Sequence, residues 1–476
     1  MGVIRFRSTN GQSPPVNLRE ALLAGLAPDR GLYFPEQFPR LSHEEITAFA
    51  ARPYHEIAFR VLSKFTEGVM PDNALAAICR DTYNFAVPLE KVYDRVHVMR
   101  LDQGPTASFK DFAAQIMARL MGRLLSEDGR QLTILTATSG DTGSAVAHAF
   151  HKVPGIRVIV LFPFAEVAAS QRKLMTVLKD NVRTVAIDGK FDDCQAMVKR
   201  AFADPDLKHI PLSSANSINI GRLLPQSVYY FYAASRLAEW HERPARSNQS
   251  GSATYGQDAR TTTLEPIVFS VPSGNFGDMM GAVVAKQMGL PIRKLIAPVN
   301  ENDAFPRFLS TGHYKKVVPS RNSLSNAMNV GHPSNLARLV AAYGGRMDET
   351  GRIHQMPDLA AMRRDLFSSS ISDERTRVVF QEVWAKHRLL LEPHGAVAWR
   401  GFEDWLETES LDGLPAVILE TANPAKFPEE IEKTFGWSPD VPPAMAAMIR
   451  LPEDYDRMGT DYEEFKGYLL SSHAKR

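Results

Sequence analysis

The spacing of apolar residues divides the chain into a helical first part and a later part of alternating strands and helices. Up to about residue 100, apolar positions recur every three to four residues, as in amphipathic helices. This spacing predicts helices over residues 18–26, 43–51, 54–65 and 71–83. We therefore expect residues 1–95 to form a mainly helical N-terminal region.

Beyond residue 96, short β-branched runs alternate with helical segments. The runs lie at residues 132–137, 156–162, 182–187, 267–271, 292–299 and 416–420. Continuous apolar runs of this length are typical of parallel strands that are covered on both faces. The alternation therefore predicts an α/β fold, with two α/β segments over 96–240 and 265–440 and a tail over 441–476.

Residues 241–264 interrupt this pattern. They are rich in Ser, Thr, Gly, Arg and Gln and contain almost no apolar side chains. Such a composition is typical of surface segments without a packed core. We predict a flexible insertion and assign it no function.

Composition and charge argue against nucleic acid and membranes as binding partners. The 476 residues are 44% hydrophobic and 23% charged, as in globular proteins, and 55 basic against 54 acidic side chains give a formal charge of +1. No overall field therefore attracts nucleic acid or an anionic membrane. Neither a signal-peptide core nor a membrane-spanning run is found, and Cys79 and Cys194 form no metal-ligand or disulfide pattern. We expect a cytoplasmic protein that binds a small molecule.

One lysine, Lys110, lies in a context that suits chemistry. It follows Pro105, Thr106, Ser108 and Phe109 and opens a helix with an apolar face. A partly desolvated lysine loses its proton more easily and can form a Schiff base with an aldehyde cofactor. On this motif alone, a solvated lysine at a helix start is the alternative.

Polar loops follow three of the predicted buried strands, at residues 138–143, 272–278 and 421–427. In open α/β sheets, ligands bind beyond the carboxyl ends of the strands, so these loops can share one site with Lys110. The glycine-containing turn at 272–278 suits a phosphate group, because it offers backbone N–H groups and a helix N-terminus. Residues 214–222 suit a second anion, although a well-capped helix is the alternative there.

Six motifs resemble, in order, those of threonine synthase in its long bacterial and fungal form. They are QGPTASFKDF from Gln103, TATSGDTGSAVAHAF from Thr136, SANSINIGR from Ser214, SVPSGNFGD from Ser270, EPHGAVA from Glu392 and TANPAKF from Thr421. The opening STNGQSPPVNLREALLAGLAPDRGLYFP matches as well, so the resemblance covers nearly the whole chain. It implies a fold-type II pyridoxal phosphate enzyme, with two open twisted sheets flanked by helices and the active site between the two α/β segments.

The resemblance also implies a role for each matching residue. Lys110 would bind pyridoxal 5'-phosphate covalently, and Thr421 would hydrogen-bond its pyridine nitrogen. The residues that would cradle the cofactor phosphate are Gly274, Asn275, Phe276 and Gly277. Those that would bind the amino-acid end of the substrate are Ser139, Gly140, Asp141 and Thr142. Those that would hold the substrate phosphate are Asn216, Ser217 and Arg222.

The implied reaction converts O-phospho-L-homoserine and water to L-threonine and phosphate by β,γ-elimination and replacement, a lyase reaction of threonine biosynthesis. Lys110 would act as acid and base for most of its proton transfers. No metal is implied, and the family's long form suggests a monomer or a small homo-oligomer.

Two positions depart from the family pattern. Gln103 and Asn423 occupy places where the family commonly has histidine, so each loses a group that titrates near neutral pH. A phospho-lyase or dehydratase that yields a 2-oxo acid, ammonia and phosphate therefore stays open as an alternative. So does a catalytically silent binding protein with the same fold. His394 is retained, but a lone histidine is more often a packed structural residue.

Overall fold

The computed structural model describes residues 2–242 and 264–474. Apart from residues 241, 242 and 264, the predicted insertion lies outside these ranges. The N-terminal elements are β1 (Phe6–Ser8), α1 (Leu18–Ala24), β2 (Tyr33–Pro35), α2 (His43–Thr47), α3 (Tyr54–Thr66) and α4 (Asp72–Thr82). The four predicted helices are confirmed, with ends that differ by a few residues. Two of them begin with a capping box, formed by Asn17 with Glu20 and by Ser42 with Glu45.

The remaining strands supply the two large sheets and one small hairpin. In chain order they are β3 (Leu89–Tyr93), β4 (Val96–Arg100), β5 (Leu132–Ala137), β6 (Ile156–Pro163), β7 (Val182–Ile187), β8 (Leu212–Ser213), β9 (Ile267–Ser270), β10 (Ile292–Ile296), β11 (Arg346–Met347), β12 (Ile353–Gln355), β13 (Leu366–Phe367), β14 (Ala416–Glu420) and β15 (Asp456–Met458).

The remaining α-helices connect and cover these strands. They are α5 (Lys110–Asp128), α6 (Asp141–Phe150), α7 (Ala169–Thr176), α8 (Phe191–Ala203), α9 (Ile220–Leu223), α10 (Val228–Glu242), α11 (Gly277–Gln287), α12 (Ala304–Thr311), α13 (Leu336–Ala342), α14 (Leu359–Asp365), α15 (Asp373–His387), α16 (Pro393–Leu406), α17 (Pro428–Phe435), α18 (Pro443–Ile449) and α19 (Tyr462–Ala474). None of the helices in the described ranges is long and apolar enough to cross a membrane.

Within the described residues, the strands form a six-stranded sheet of order β13-β10-β9-β14-β4-β3 and a five-stranded sheet of order β15-β7-β6-β5-β8. All neighbours are parallel except β3, which pairs antiparallel with β4 at an edge. The predicted pair of sheets flanked by helices is present. Strands β4 and β14 are neighbours, with Arg100 opposite Glu420, so the loops that follow them start side by side.

The first turn of α5 is anchored in the core by Phe112. Its ring lies 5.5 Å from the ring of Tyr54 in the N-terminal region and 5.6 Å from that of Tyr229 in α10. Phe112 is fully buried. Because Lys110 lies two residues before it, this packing fixes the start of the helix that carries the lysine.

The segment 441–476, treated above as a tail, adds α18, β15 and α19 to the fold. Strand β15 pairs parallel with β7, and Phe465 and Leu469 of α19 pack in one cluster with Cys194 and Val198 of α8. The strand is three residues long and includes two charged ones, so the apolar pattern gives no sign of it. The edge of the five-stranded sheet is thus built from the end of the chain.

The sheets also differ from the predicted division of the chain at 241–264. Strand β4 joins β9, β10 and β14 in the six-stranded sheet, whereas β5 to β8 form most of the other one. A parallel strand can pair with a partner far away in sequence through a long crossover, so the chain passes between sheets after β4.

We expect the C-terminal helix to be an integral part of the fold. Replacing the fully buried Phe465 in a Phe465→Ala variant should lower the free energy of unfolding by ~3–5 kcal/mol, because it removes an aromatic ring from a packed cluster. Urea unfolding measures this. The exposed neighbour serves as the control, since Glu464→Ala should change stability by no more than ~0.5 kcal/mol. Equal effects of the two variants would contradict the assignment.

Candidate active site

The loops predicted to share one site line a single cavity. They follow β5, β9 and β14, and the segment that ends at Lys110 follows β4. The predicted site residues that line the cavity are Lys110, Ser139, Asp141, Thr142, Asn216, Ser217, Arg222, Gly274, Asn275, Phe276, Gly277 and Thr421. Gly140 caps α6 behind Ser139, and its amide donates to Thr138 Oγ1 at 2.9 Å.

The segment that carries Lys110 is held against the Thr421 loop by backbone hydrogen bonds. Leu101 N–H donates to Glu420 O at 2.9 Å, Phe109 N–H to Thr421 O at 2.8 Å, and Asn423 N–H to Ala107 O at 3.0 Å. The pairing of β4 with β14 therefore continues beyond the sheet. It fixes Lys110 and Thr421 relative to each other.

The turn before Lys110 is folded onto Asp111. The carboxylate accepts hydrogen bonds from Thr106 N–H at 2.8 Å and from Thr106 Oγ1 at 2.7 Å. A Cβ atom at Gly104 would lie 2.6 Å from Asp111 Oδ2, so only glycine fits there. The small residues and the acid of this motif thus serve the turn that aims the lysine.

The Lys110 amine is largely withdrawn from water. The side chain is 13% exposed, and Nζ lies 3.6 Å from Asp141 Oδ2 and 4.6 Å from the centre of the Phe109 ring. Burial lowers the pKa of Lys110; the Asp141 charge opposes this, and the charges of Lys426 and Arg222 add to it. A neutral amine is the nucleophilic form that reacts with an aldehyde.

Asp141 is bracketed by two lysines. The Nζ atom of the fully buried Lys426 lies 2.6 Å from Asp141 Oδ1, and the same amine donates to Thr106 O at 3.0 Å. Burial by itself would raise the pKa of Asp141, but the charges of Lys426 and Lys110 outweigh burial and lower it. The sequence analysis gave Lys426 no role, because nothing in TANPAKF shows which carboxylate the lysine meets.

The turn at 272–278 forms a cradle in which Gly274 leaves no space for a side chain. A Cβ atom at Gly274 would lie 2.7 Å from Met328 Cα and 3.0 Å from Ala327 O. Phe276 has a left-handed φ of 61°, and α11 begins at Gly277. The first N–H groups of a helix have no acceptor within the helix, so this end of α11 can hold a phosphate group.

A polar network links this cradle to the loop at 214–222. Asn275 Nδ2 donates to Ser217 Oγ at 2.8 Å, and Asn335 Nδ2 donates to the same oxygen at 3.0 Å and to Asn275 O at 3.0 Å. The buried Arg338 donates to Ser217 O at 2.9 Å and to Asn335 Oδ1 at 2.7 Å. Asn335 and Arg338 were missed by the sequence analysis, since neither stands in a motif.

Arg222 is a buried cation with spare hydrogen-bonding capacity. Its Nη1 donates to Ala215 O at 2.7 Å, while no atom of the described residues accepts from its Nε. Burial lowers the pKa of Arg222 to about 10. A buried guanidinium with an unused donor suits an anionic ligand, because such a ligand supplies both charge and acceptors.

Thr421 is oriented by a carboxylate behind it. Its hydroxyl lies 3.4 Å from Glu392 Oε1. His394 also lines the cavity, but both of its ring nitrogens are engaged: Nδ1 lies 2.5 Å from Glu392 Oε2, and Nε2 accepts from Ala327 N–H at 3.2 Å. Since Nε2 accepts, Nδ1 carries the proton. His394 therefore holds the segment around Ala327 against the cradle.

The two departures from the family pattern meet on one carboxylate. Gln103 Nε2 donates to Asp102 Oδ1 at 2.7 Å and Asn423 Nδ2 donates to Asp102 Oδ2 at 2.9 Å. Arg100 pairs with the same buried group at 2.8 Å. Among the described residues that line the cavity, neither Gln103 nor Asn423 is present. Both side chains are thus donors that support the wall of the site, and an amide donates at any pH.

These residues fit pyridoxal 5'-phosphate. The site offers a desolvated amine, a cradle closed to side chains at Gly274, and a hydroxyl at Thr421. In the described ranges, no group of three or more His, Cys, Asp and Glu side chains could hold a metal ion.

Comparisons with known proteins support this cofactor. Three family models match: threonine synthase N terminus over residues 5–83, pyridoxal-phosphate dependent enzyme over 86–421, and threonine synthase C-terminal over 395–469. The threonine synthase of Pseudomonas aeruginosa is 37% identical over an alignment of 493 positions, gaps included, that covers 99% of each chain.

Solved structures match over the same length. The pyridoxal-phosphate-bound threonine synthase of Brucella melitensis has a TM-score of 0.87 at 33% identity and covers 99% of this chain and 100% of its own. The threonine synthase of Escherichia coli has a TM-score of 0.83 at 34% identity, and the match covers 98% of this chain and 100% of the Escherichia coli chain.

Asp278, which lines the cavity, should make stability depend on pH. Burial raises its pKa to about 6, although Tyr229 and Tyr230 donate hydrogen bonds to Oδ1 at 2.5 and 2.6 Å. The folded protein then holds a proton that the unfolded chain releases near pH ~4, so stability falls as the pH rises from ~4 to ~6.

The Asp278→Asn variant should remove this loss. Urea unfolding of cofactor-free protein measures the difference in unfolding free energy between the variant and the parent. This difference should favour the variant by ~2–3 kcal/mol more near pH ~7 than near pH ~4. The exposed Asp412 provides the control, since Asp412→Asn should show no such difference. A gain for Asp278→Asn that is the same at both pH values would exclude this role.

Proposed function

The chain belongs to the threonine synthase family of pyridoxal-phosphate-dependent enzymes, and we propose that it converts O-phospho-L-homoserine and water to L-threonine and inorganic phosphate. The family, the fold class and the cofactor expected from the motifs are thereby confirmed. One observation carries the choice of substrate. The buried Arg222, with an unused donor, lines the same cavity as Lys110 and the phosphate cradle. This supports a second anion-binding subsite besides the cradle for the cofactor phosphate.

The cofactor would be held by the residues assigned above. Lys110 would bind its aldehyde carbon, the residues 274–277 its phosphate and Thr421 its ring nitrogen. When bound, pyridoxal phosphate supplies an electron sink that stabilises negative charge next to the substrate's amino group. The Lys110 amine, released when the substrate's amine takes its place, is available to remove and return protons at the substrate carbons.

The loop at 138–143 would bind the amino-acid end of the substrate. Helix α6 begins at Asp141, so the N–H groups of its first turn can donate to a carboxylate. The Asp141 charge would repel that carboxylate, but the buried Lys426 compensates it. Ser139 and Thr142 add hydroxyl groups from the cavity wall.

The substrate phosphate would lie against Asn216, Ser217 and Arg222. Ser217 Oγ accepts hydrogen bonds from Asn275 and Asn335, so its own proton can point to a ligand. Asn216 is fixed by donation to Ala137 O at 3.0 Å. The Arg222 charge stabilises the negative charge that develops as phosphate leaves.

The proposal includes the setting of the enzyme. The cavity takes Lys110, Asp141 and Arg222 from the segment 96–240 and Gly274 and Thr421 from the segment 265–440, which supports an active site between them. We propose a cytoplasmic monomer or small homo-oligomer that acts on a phosphorylated amino acid and binds neither nucleic acid nor membranes. The formal charge of +1 supports the absence of binding to nucleic acid and to anionic membranes.

Product analysis tests the reaction. Cofactor-loaded protein is given O-phospho-L-homoserine, and phosphate, threonine and 2-oxobutyrate are measured together. Threonine equal to the phosphate released is the expected result. Phosphate accompanied by 2-oxobutyrate, or turnover of O-phosphothreonine alone, would replace the proposal with the phospho-lyase alternative.

Lys110→Ala should abolish both turnover and the absorption band of bound pyridoxal phosphate, because the amine that binds the aldehyde is lost. Absorption spectra of the purified variant measure the second effect without any substrate. Lys433→Ala, at an exposed position in α17, should keep both. A variant at Lys110 that keeps the band would contradict the assignment.

Arg222→Met should weaken binding of the phosphorylated substrate. The substitution keeps most of the side-chain volume but removes the charge, so the substrate phosphate would be left without its cation and KM should rise ~100-fold. Steady-state kinetics measure KM and kcat separately. The control is Arg123→Met on the exposed side of α5, which should leave both within ~2-fold. An unchanged KM for Arg222→Met would place the substrate phosphate elsewhere.

A further inference from the structure

Lys426 is a second buried lysine next to the site, but it does not line the cavity. It ends a short 3-10 turn, Pro424–Lys426, and its side chain is fully buried. Its backbone carbonyl accepts a hydrogen bond from Ser170 Oγ at 3.1 Å. The amine reaches Asp141 Oδ1 at 2.6 Å and Thr106 O at 3.0 Å. It therefore lies behind Asp141, on the side away from the ligand.

The two lysines compete unequally for one carboxylate. The Nζ atom of Lys426 lies 2.6 Å from Asp141 Oδ1, whereas the Nζ atom of Lys110 lies 3.6 Å from Asp141 Oδ2. Asp141 Oδ1 also accepts a hydrogen bond from Gln171 Nε2 at 3.2 Å. If Asp141 had Lys110 as its sole cation, it would stabilise the protonated amine and hold it in an ion pair. The closer contact with Lys426 compensates the carboxylate first. The charge of Lys426 also opposes a proton on Lys110.

We propose that Lys426 is a positioning residue that holds the Asp141 carboxylate to itself and thereby leaves the Lys110 amine free to lose its proton. The inference rests on the proposed role of Lys110 as the cofactor lysine and on no particular substrate. It explains why a fully buried ammonium is kept beside another lysine, where the two charges repel.

Other charged or titratable groups face Lys110 and Asp141 from the surrounding elements. Arg222 of α9 adds positive charge, Glu392 before α16 and Asp278 of α11 add negative charge, and His394 faces Asp141. A substitution at Lys426 leaves all four side chains in place. Its effect on Lys110 can therefore be separated from this constant background.

Competitive labelling of amines measures the protonation of Lys110 directly. Full-length protein freed of cofactor is treated with trace acetic anhydride at a series of pH values, and acetylation of Lys110 is quantified by peptide mass spectrometry relative to the exposed Lys433. Lys426→Met should label Lys110 roughly tenfold more slowly near neutral pH, with the profile displaced to higher pH. Lys426→Arg keeps the charge and should restore labelling to within ~3-fold of the parent. Labelling of Lys426→Met at the rate of the parent would overturn the proposal.

A double variant separates this role from a merely structural one. Asp141→Asn combined with Lys426→Met removes the carboxylate together with its partner, so the Asp141 charge no longer holds Lys110 as an ammonium. Labelling of Lys110 should return to near the parental rate. A rate as low as that of Lys426→Met alone would show that Lys426 acts through packing. The assay needs no substrate, so its outcome is independent of whether the enzyme makes threonine or a 2-oxo acid.

Discussion

The site depends on one continuation of backbone pairing, between the segments that follow β4 and β14. The two strands are parallel neighbours, and three N–H to carbonyl hydrogen bonds extend their contact from Leu101 to Asn423. Lys110 and Thr421 are thereby set on a common frame, although more than half of the chain separates them. Backbone bonds of this kind are independent of side-chain identity, so the frame tolerates changes in the loops that would alter a side-chain contact.

Several buried cations are arranged on this frame in and around the cavity, while the chain as a whole is nearly neutral. Lys110, Lys426, Arg222 and Arg338 are withdrawn from water, and Asp141 is shared by two of them. In a low dielectric, each such charge acts more strongly than a surface charge. Formal charge therefore says little about the ligand, whereas the placement of a few cations selects an anion that carries its own acceptors.

The sequence predicted the framework because apolar runs and the loops after them follow from local pattern. The strands at 132–137, 182–187 and 416–420 and the loops that carry Ser139, Gly274 and Thr421 were all found in this way. Contacts between distant polar residues could not be found. Gln103 and Asn423 lie far apart in the chain yet share Asp102, and Lys426 meets Asp141 with nothing in either motif to indicate it. Asn335 and Arg338 likewise lie outside every sequence motif, so the sequence does not indicate their contacts.

The position of β15 bears on how the chain is made. The ribosome delivers β5, β6 and β7 well before the strand that covers the outer edge of β7, because that strand comes from residues 456–458. An uncovered strand edge can pair with other chains, and the nascent protein must carry this one through the translation of β9, β10, β13 and β14. The loop with Ser139 and Asp141 belongs to that sheet, so this part of the site stands on a sheet with an open edge until residues 456–458 have been made.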